Sequence, residues 1–192
     1  CKIRGLGMTG IIQLDEHLSP AISALAHSLS AEIGDDNLPN NKFENVANIL
    51  LNGLLDFPKI KSKLSSLLTD GNACIWGENP DQLQILYHAT SSPDHGKPHD
   101  HGTYWALYFQ VAGVTEMAIY KGADGNNPAN EADKVTLDET ILMHPGVGIY
   151  FPPGSVHSAS HPKAPSSWIR LTGRDLTRLS RKAYDSETGL RI

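Results

Sequence analysis

Cysteine is nearly absent: the 192 residues hold two, Cys1 and Cys74. That excludes a disulfide framework and fits a reducing compartment, so a cytoplasmic location is expected. Long apolar runs are missing too. None approaches the roughly 18 residues that a membrane-spanning helix needs, so no membrane partner is expected. Cys1–Gly10 is rich in glycine and lacks the apolar centre of a signal peptide, and Met8 is a candidate start. Basic blocks are also lacking. The net charge is -5 with a pI near 6.0, and no basic stripe offers a nucleic-acid surface. No internal repeat or low-complexity tract is evident. Such a chain is long enough to bury a core without staples.

What the sequence does have is histidine, nine in all. Five lie between His88 and His144, and His157 and His161 follow.

The chain changes character near residue 70. Before it the apolar spacing is helical: Ile22, Leu25, Ala26, Leu29 and Ile33 follow Ser19-Pro20, a cap and first-turn pair. Val46, Ile49, Leu50 and Leu54 repeat the pattern until Pro58 breaks it. A third helix is expected over Lys59–Leu68, stopping at Asp70-Gly71. After residue 72 short strands are expected at Cys74–Trp76, Leu83–His88, Trp105–Val111, Val114–Tyr120, Lys134–Leu137, Gly148–Phe151 and Ser167–Leu171. Strands so spaced form a sandwich or barrel. The expected division is a helical segment over 1–71, a β-barrel over 72–175, and a charged surface tail over 176–192.

His99-Asp100-His101 puts two imidazoles on one side of an extended chain, with Asp100 on the other. Alone, such a pair arises easily by chance. Further on, Pro152-Pro153-Gly154 makes a turn that delivers His157 onto the next strand. From Gly146 to His157 the chain resembles the second cupin motif, G(X)5PXG(X)2H, at every specified position. The first motif, G(X)5HXH(X)3-4E(X)6G, is met by His99, His101 and Gly113. It departs at Ala106, where cupins usually carry a glutamate ligand, and at Pro93, where the leading glycine belongs. The two motifs together span residues 93–157, about a third of the chain.

The resemblance implies a mainly β fold, a cupin jelly-roll (double-stranded β-helix) barrel with an N-terminal helical segment. It implies one divalent metal on His99, His101 and His157: Fe(II) first, with Zn, Ni or Mn as alternatives. Three neutral imidazoles would leave the ion its full charge, which favours anionic substrates. The missing glutamate and the Lys97–Thr103 segment resemble the cysteine-dioxygenase-like thiol dioxygenases. That implies a non-haem iron dioxygenase, with dioxygen and a small molecule as its partners.

Departures narrow the substrate. The arginine that this branch places before the barrel strands has no counterpart in Asp70–Cys74. Its Ser-X-His-X-Tyr relay would fall near Arg170–Arg174, where none of its residues stands. Free cysteine is therefore not the expected substrate. Tyr108, Arg170 and His161 are the candidate substrate contacts, each weighed against plain packing or surface exposure. For His95 a solvated loop is expected, for His88 a satisfied core position and for Cys74 a core place. No general acid or base is assignable. A non-redox isomerase, lyase or hydrolase, and a binding protein without turnover, stand as alternatives. Self-association is left open.

Overall fold

The computed structural model describes residues 10–11, 70–76, 81, 83–123 and 129–192, with Ser28, Ala31 and Asn45 as isolated positions. The three N-terminal helices expected from periodicity lie outside the described residues.

Ten strands are described. In chain order they are β1 Gly10–Ile11, β2 Gly71–Trp76, β3 Gln84–Thr90, β4 Asp94–His95, β5 Ala106–Ala112, β6 Thr115–Gly122, β7 Val135–Met143, β8 Gly148–Phe151, β9 Val156–His161 and β10 Ser166–Thr172. They form two sheets, ordered β1-β2-β3-β10-β5-β8 and β4-β9-β6-β7. Every pairing is antiparallel except β1 with β2. From β3 to β10 the chain crosses between the sheets at nearly every connection, while β6 and β7 stay together as a hairpin. That order is a double Greek key, the jelly-roll pattern.

Local chemistry explains the crossings. β5 hands over to β6 at Gly113, whose φ is +69°. A Cβ there would sit 2.3 Å from the Pro165 carbonyl oxygen, so the corner needs glycine for both conformation and space. Alternation does the rest. On β5, Ala106, Tyr108 and Gln110 face the space between the sheets, and Leu107, Phe109 and Val111 face outward. Both sets are buried.

The inter-sheet core joins Ala106, Tyr108, Ile149 and Phe151 of the first sheet to Met117 and Met143 of the second. Burying each of the large side chains contributes about 1.5–3 kcal/mol. This core forms an apolar floor, and His157 stacks on its Phe151.

β7 runs well past the expected Lys134–Leu137. Its sequence, Thr-Leu-Asp-Glu-Thr, reads as polar because the strand edges its sheet and most of its residues are exposed. Charge on an edge strand blocks pairing with other chains. The tail is mostly exposed or half-buried and is anchored at two buried positions, Leu176 and Tyr184. Tyr184 is fully buried, and its hydroxyl donates to the carbonyls of Ala129 and Ala132.

Candidate metal centre

His99 and His101 do not lie on a regular strand, as their spacing had implied. They sit on an extended segment clamped from two sides. Toward β9, His99 and His157 exchange backbone hydrogen bonds of 3.0 Å in each direction. Toward the tail, Asp100 N–H donates to the Lys182 carbonyl at 3.1 Å, and Tyr184 N–H donates to that of Pro98 at 2.9 Å. Asp100 does turn away from its neighbours: its buried carboxylate accepts the Lys182 N–H at 2.8 Å. The pair is thus held in place by contacts distant in sequence.

The three imidazoles converge. Ring centroids are 5.4 Å apart for His99 and His101, 5.0 Å for His99 and His157, and 4.9 Å for His101 and His157. One ring nitrogen from each lies within 4.8 Å of the others, so the group could hold a metal ion. His99 Nδ1 lies 2.9 Å from the Lys97 carbonyl. Because a carbonyl only accepts, Nδ1 carries the proton and Nε2 keeps its lone pair. Phe151 stacks on His157 with centroids 4.0 Å apart, fixing that ring's plane.

The surroundings favour the neutral form of the rings. Burial is the main cause, lowering the pKa of each; the neighbouring rings lower those of His101 and His157 further, the Lys97 carbonyl partly offsets the shift of His99, and the charges of Arg170 and Arg181 lower all three. A neutral imidazole is the form that binds a metal. The cluster passes a further test of fit. The Nε2 atoms of His101 and His157 both approach the Tyr108 hydroxyl, at 3.5 and 3.3 Å. The Nδ1 atoms of both rings are buried without a partner. Each neutral ring keeps one lone pair, on Nδ1 or Nε2, and the one O–H has one proton to give, so in any tautomer at least one imidazole lone pair is left for a cation.

Two guanidiniums flank the cluster. Arg170 lies on β10 directly opposite Tyr108 of β5 and shares its inward face. Its Nε is buried and has no hydrogen-bond partner. Arg181 leaves the tail next to Lys182 and donates to the Leu176 carbonyl at 3.3 Å. Burial, and after it the charge of Arg170, lowers its pKa. Sequence reasoning missed Arg181. It stands in a basic tail beside Arg174, Arg178 and Lys182, and nothing local separates it from them. Arg174, by contrast, is engaged elsewhere, with Asp81 and the Tyr104 hydroxyl.

The remaining expected positions fall as follows. Ala106 is fully buried in the inter-sheet core, so its place in the motif offers no ligand. His161 is buried, contrary to a surface placement. Its ring stacks on Trp168 at 4.2 Å, and its Nδ1 lies 3.2 Å from the Thr115 hydroxyl. His88 stacks on Trp168 at 5.2 Å, but its buried Nε2 has no partner, so it is not the satisfied core histidine expected. His95 is exposed. The side chain of Cys74 lies outside the described residues.

No family model matches the chain, and no curated protein matches it. Solved structures do. KdgF from Halomonas sp. is 19% identical, with 54% of this chain and 76% of that one covered and a TM-score of 0.40. The DMSP lyase DddQ from Ruegeria pomeroyi is 17% identical, with 61% and 52% covered and a TM-score of 0.43. The chain thus spans about half the length of that lyase. A cupin superfamily protein from Desulfitobacterium hafniense is 15% identical, with 58% and 88% covered and a TM-score of 0.42.

Proposed function

We propose that this chain is a metal-dependent cupin enzyme acting on a small anionic substrate, a non-haem iron dioxygenase related to the thiol dioxygenases. The observation that carries the reading is a convergent three-imidazole cluster, two of its rings buried, with the Arg170 guanidinium on the strand opposite Tyr108. In this reading His99, His101 and His157 hold one divalent ion. Bound Fe(II) supplies the redox chemistry that lets both atoms of dioxygen join the substrate, as when a thiolate becomes a sulfinate.

The protein's own groups do the rest. Neutral imidazoles cancel none of the ion's charge, so anionic ligand atoms are drawn to it. Arg170 holds a buried, unpartnered Nε on the same inward face as Tyr108. A buried donor without a partner costs about 1–3 kcal/mol unless an acceptor offsets it. Arg170 is therefore the group that takes the substrate's anionic end. Tyr108 and His161 line the inner wall, and Phe151, Ile149 and Met117 keep water from the floor. Free cysteine fits poorly. No arginine stands in Asp70–Cys74 to clamp its carboxylate, and Arg170 approaches from another strand.

A second reading has its own support. An all-imidazole donor set suits zinc as well as iron, which would make the site a Lewis acid for lyase or hydrolase chemistry. The test is elemental analysis of protein purified without added metal, followed by oxygen uptake with anionic thiols, cysteine and non-thiol acids. Bound iron and uptake with a thiol acid are expected. Arg170→Met should raise KM for that acid and leave the metal content unchanged. Stoichiometric zinc without oxygen uptake would overturn the dioxygenase reading. Cysteine turnover on the order of 1 per second would overturn the exclusion of cysteine.

A further inference from the structure

The donor set has a gap at Ala106, where the motif would place a carboxylate. Two residues on along β5, on the same inward face, stands Tyr108. Its hydroxyl oxygen lies 3.3 Å from His157 Nε2 and 3.5 Å from His101 Nε2. These contacts are long for a hydrogen bond from a hydroxyl, which closes to about 2.7–3.0 Å when well made. They match another geometry. Ligand atoms bound tetrahedrally to zinc at about 2.0–2.1 Å stand roughly 3.3 Å from one another. The phenolic oxygen therefore stands from each of the two nitrogens at the spacing of atoms bound to one ion, and the three histidine donor atoms lie within 4.8 Å of one another.

The surroundings hold the oxygen there. β5 is an interior strand paired on both sides, with β10 and β8. The Tyr108 ring packs edge to face on Phe151 at 5.7 Å, and Phe151 stacks on His157. Tyr108 is buried, so water does not compete freely for its hydroxyl.

We propose that Tyr108 is the fourth protein ligand of the metal held by His99, His101 and His157, its oxygen replacing the carboxylate missing at position 106. This rests on the metal reading of the three histidines. On coordination the oxygen–metal bond forms and the phenolic proton passes to solvent, with no change of oxidation state. The substrate then takes the positions on the ion that the four protein ligands leave open.

The experiment loads metal-free protein with Cu(II) and, separately, Fe(III), and compares wild type with Tyr108→Phe and His157→Ala. A metal-bound phenolate gives a visible charge-transfer band; imidazole ligands alone do not. The band is expected in wild type and absent from Tyr108→Phe. Zinc affinity, measured by chelator competition, should weaken in Tyr108→Phe by at least about 10–100-fold, the range that losing even an outer-shell partner costs. His157→Ala should lose the metal. A Tyr108→Phe protein that keeps wild-type absorption and affinity while His157→Ala loses the metal would overturn the tyrosine ligand and leave the histidine site standing. Wild type that takes up no metal would overturn both. Resonance Raman excitation of metal-loaded wild type needs no variant to fold: tyrosinate ring modes are expected, and their absence overturns the proposal.

Discussion

Asp100→Ala should destabilise the protein and loosen the metal centre without touching a ligand. Asp100 lies between His99 and His101, is 1% exposed, and accepts the Lys182 N–H at 2.8 Å. Its own N–H donates to the Lys182 carbonyl, so the residue ties the ligand segment to the tail twice. The substitution keeps the backbone bond and removes the side-chain acceptor. A hydrogen bond to a charged group contributes about 1.5–3 kcal/mol. For a chain of this length, each kcal/mol is worth about 2–4 °C in Tm. A fall of roughly 3–12 °C follows, read by calorimetry on metal-free protein. Asp100→Asn keeps an acceptor oxygen without the charge and should lose less than half as much. Metal affinity should fall with Asp100→Ala, because the ligand segment loses its one side-chain tie to the tail. If Asp100→Ala melts with wild type and binds metal equally well, the tail does not hold the ligand segment.

Acidification should destabilise the metal-free protein. His88, His101 and His157 have folded pKa values lowered by burial, so below about pH 6.5 the unfolded chain binds more protons than the folded one. Stability present above that pH is lost as the pH falls, by about 1.4 kcal/mol per histidine per pH unit, or about 4 kcal/mol for three at one unit below. Urea midpoints at about pH 7 and about pH 5.5 measure this, and a flat profile would mean the rings are not held neutral. Gly113→Ala should destabilise by more than about 1 kcal/mol, although the same exchange at an unstrained position stabilises by up to about that much. The position has φ +69° and a carbonyl 2.3 Å from the added Cβ; wild-type stability in urea would show that the β5–β6 corner relaxes freely.

Much of the site was legible in the sequence because short-range spacing carried it. The interval from Gly146 through Gly154 to His157 prescribes a turn followed by a strand, and Gly154 does adopt a φ of +80°. His99 and His101 needed only an extended backbone to share a side. Most strands were legible from aromatic and β-branched runs. β9 was not named as an element, since four of the six residues in Val-His-Ser-Ala-Ser-His are polar, yet both of its histidines are buried. β7 was cut short for the opposite reason, because an edge strand buries little and need not alternate.

The sequence by itself therefore determined which residue types were present and which local turns they could make. Tertiary structure decided what they meet. His99 and His157 are 58 residues apart and come together only because β9 returns beside the ligand segment. Arg170 is inward because its strand lies between β3 and β5 and its pleat matches that of Tyr108. Arg181 lies near enough to lower the pKa of the three rings because Lys182–Tyr184 pairs with Pro98–Asp100, a match of backbone donors and acceptors that leaves no trace in residue identity. Period and spacing act over a few residues, whereas pairing across sheets depends on how the whole chain closes.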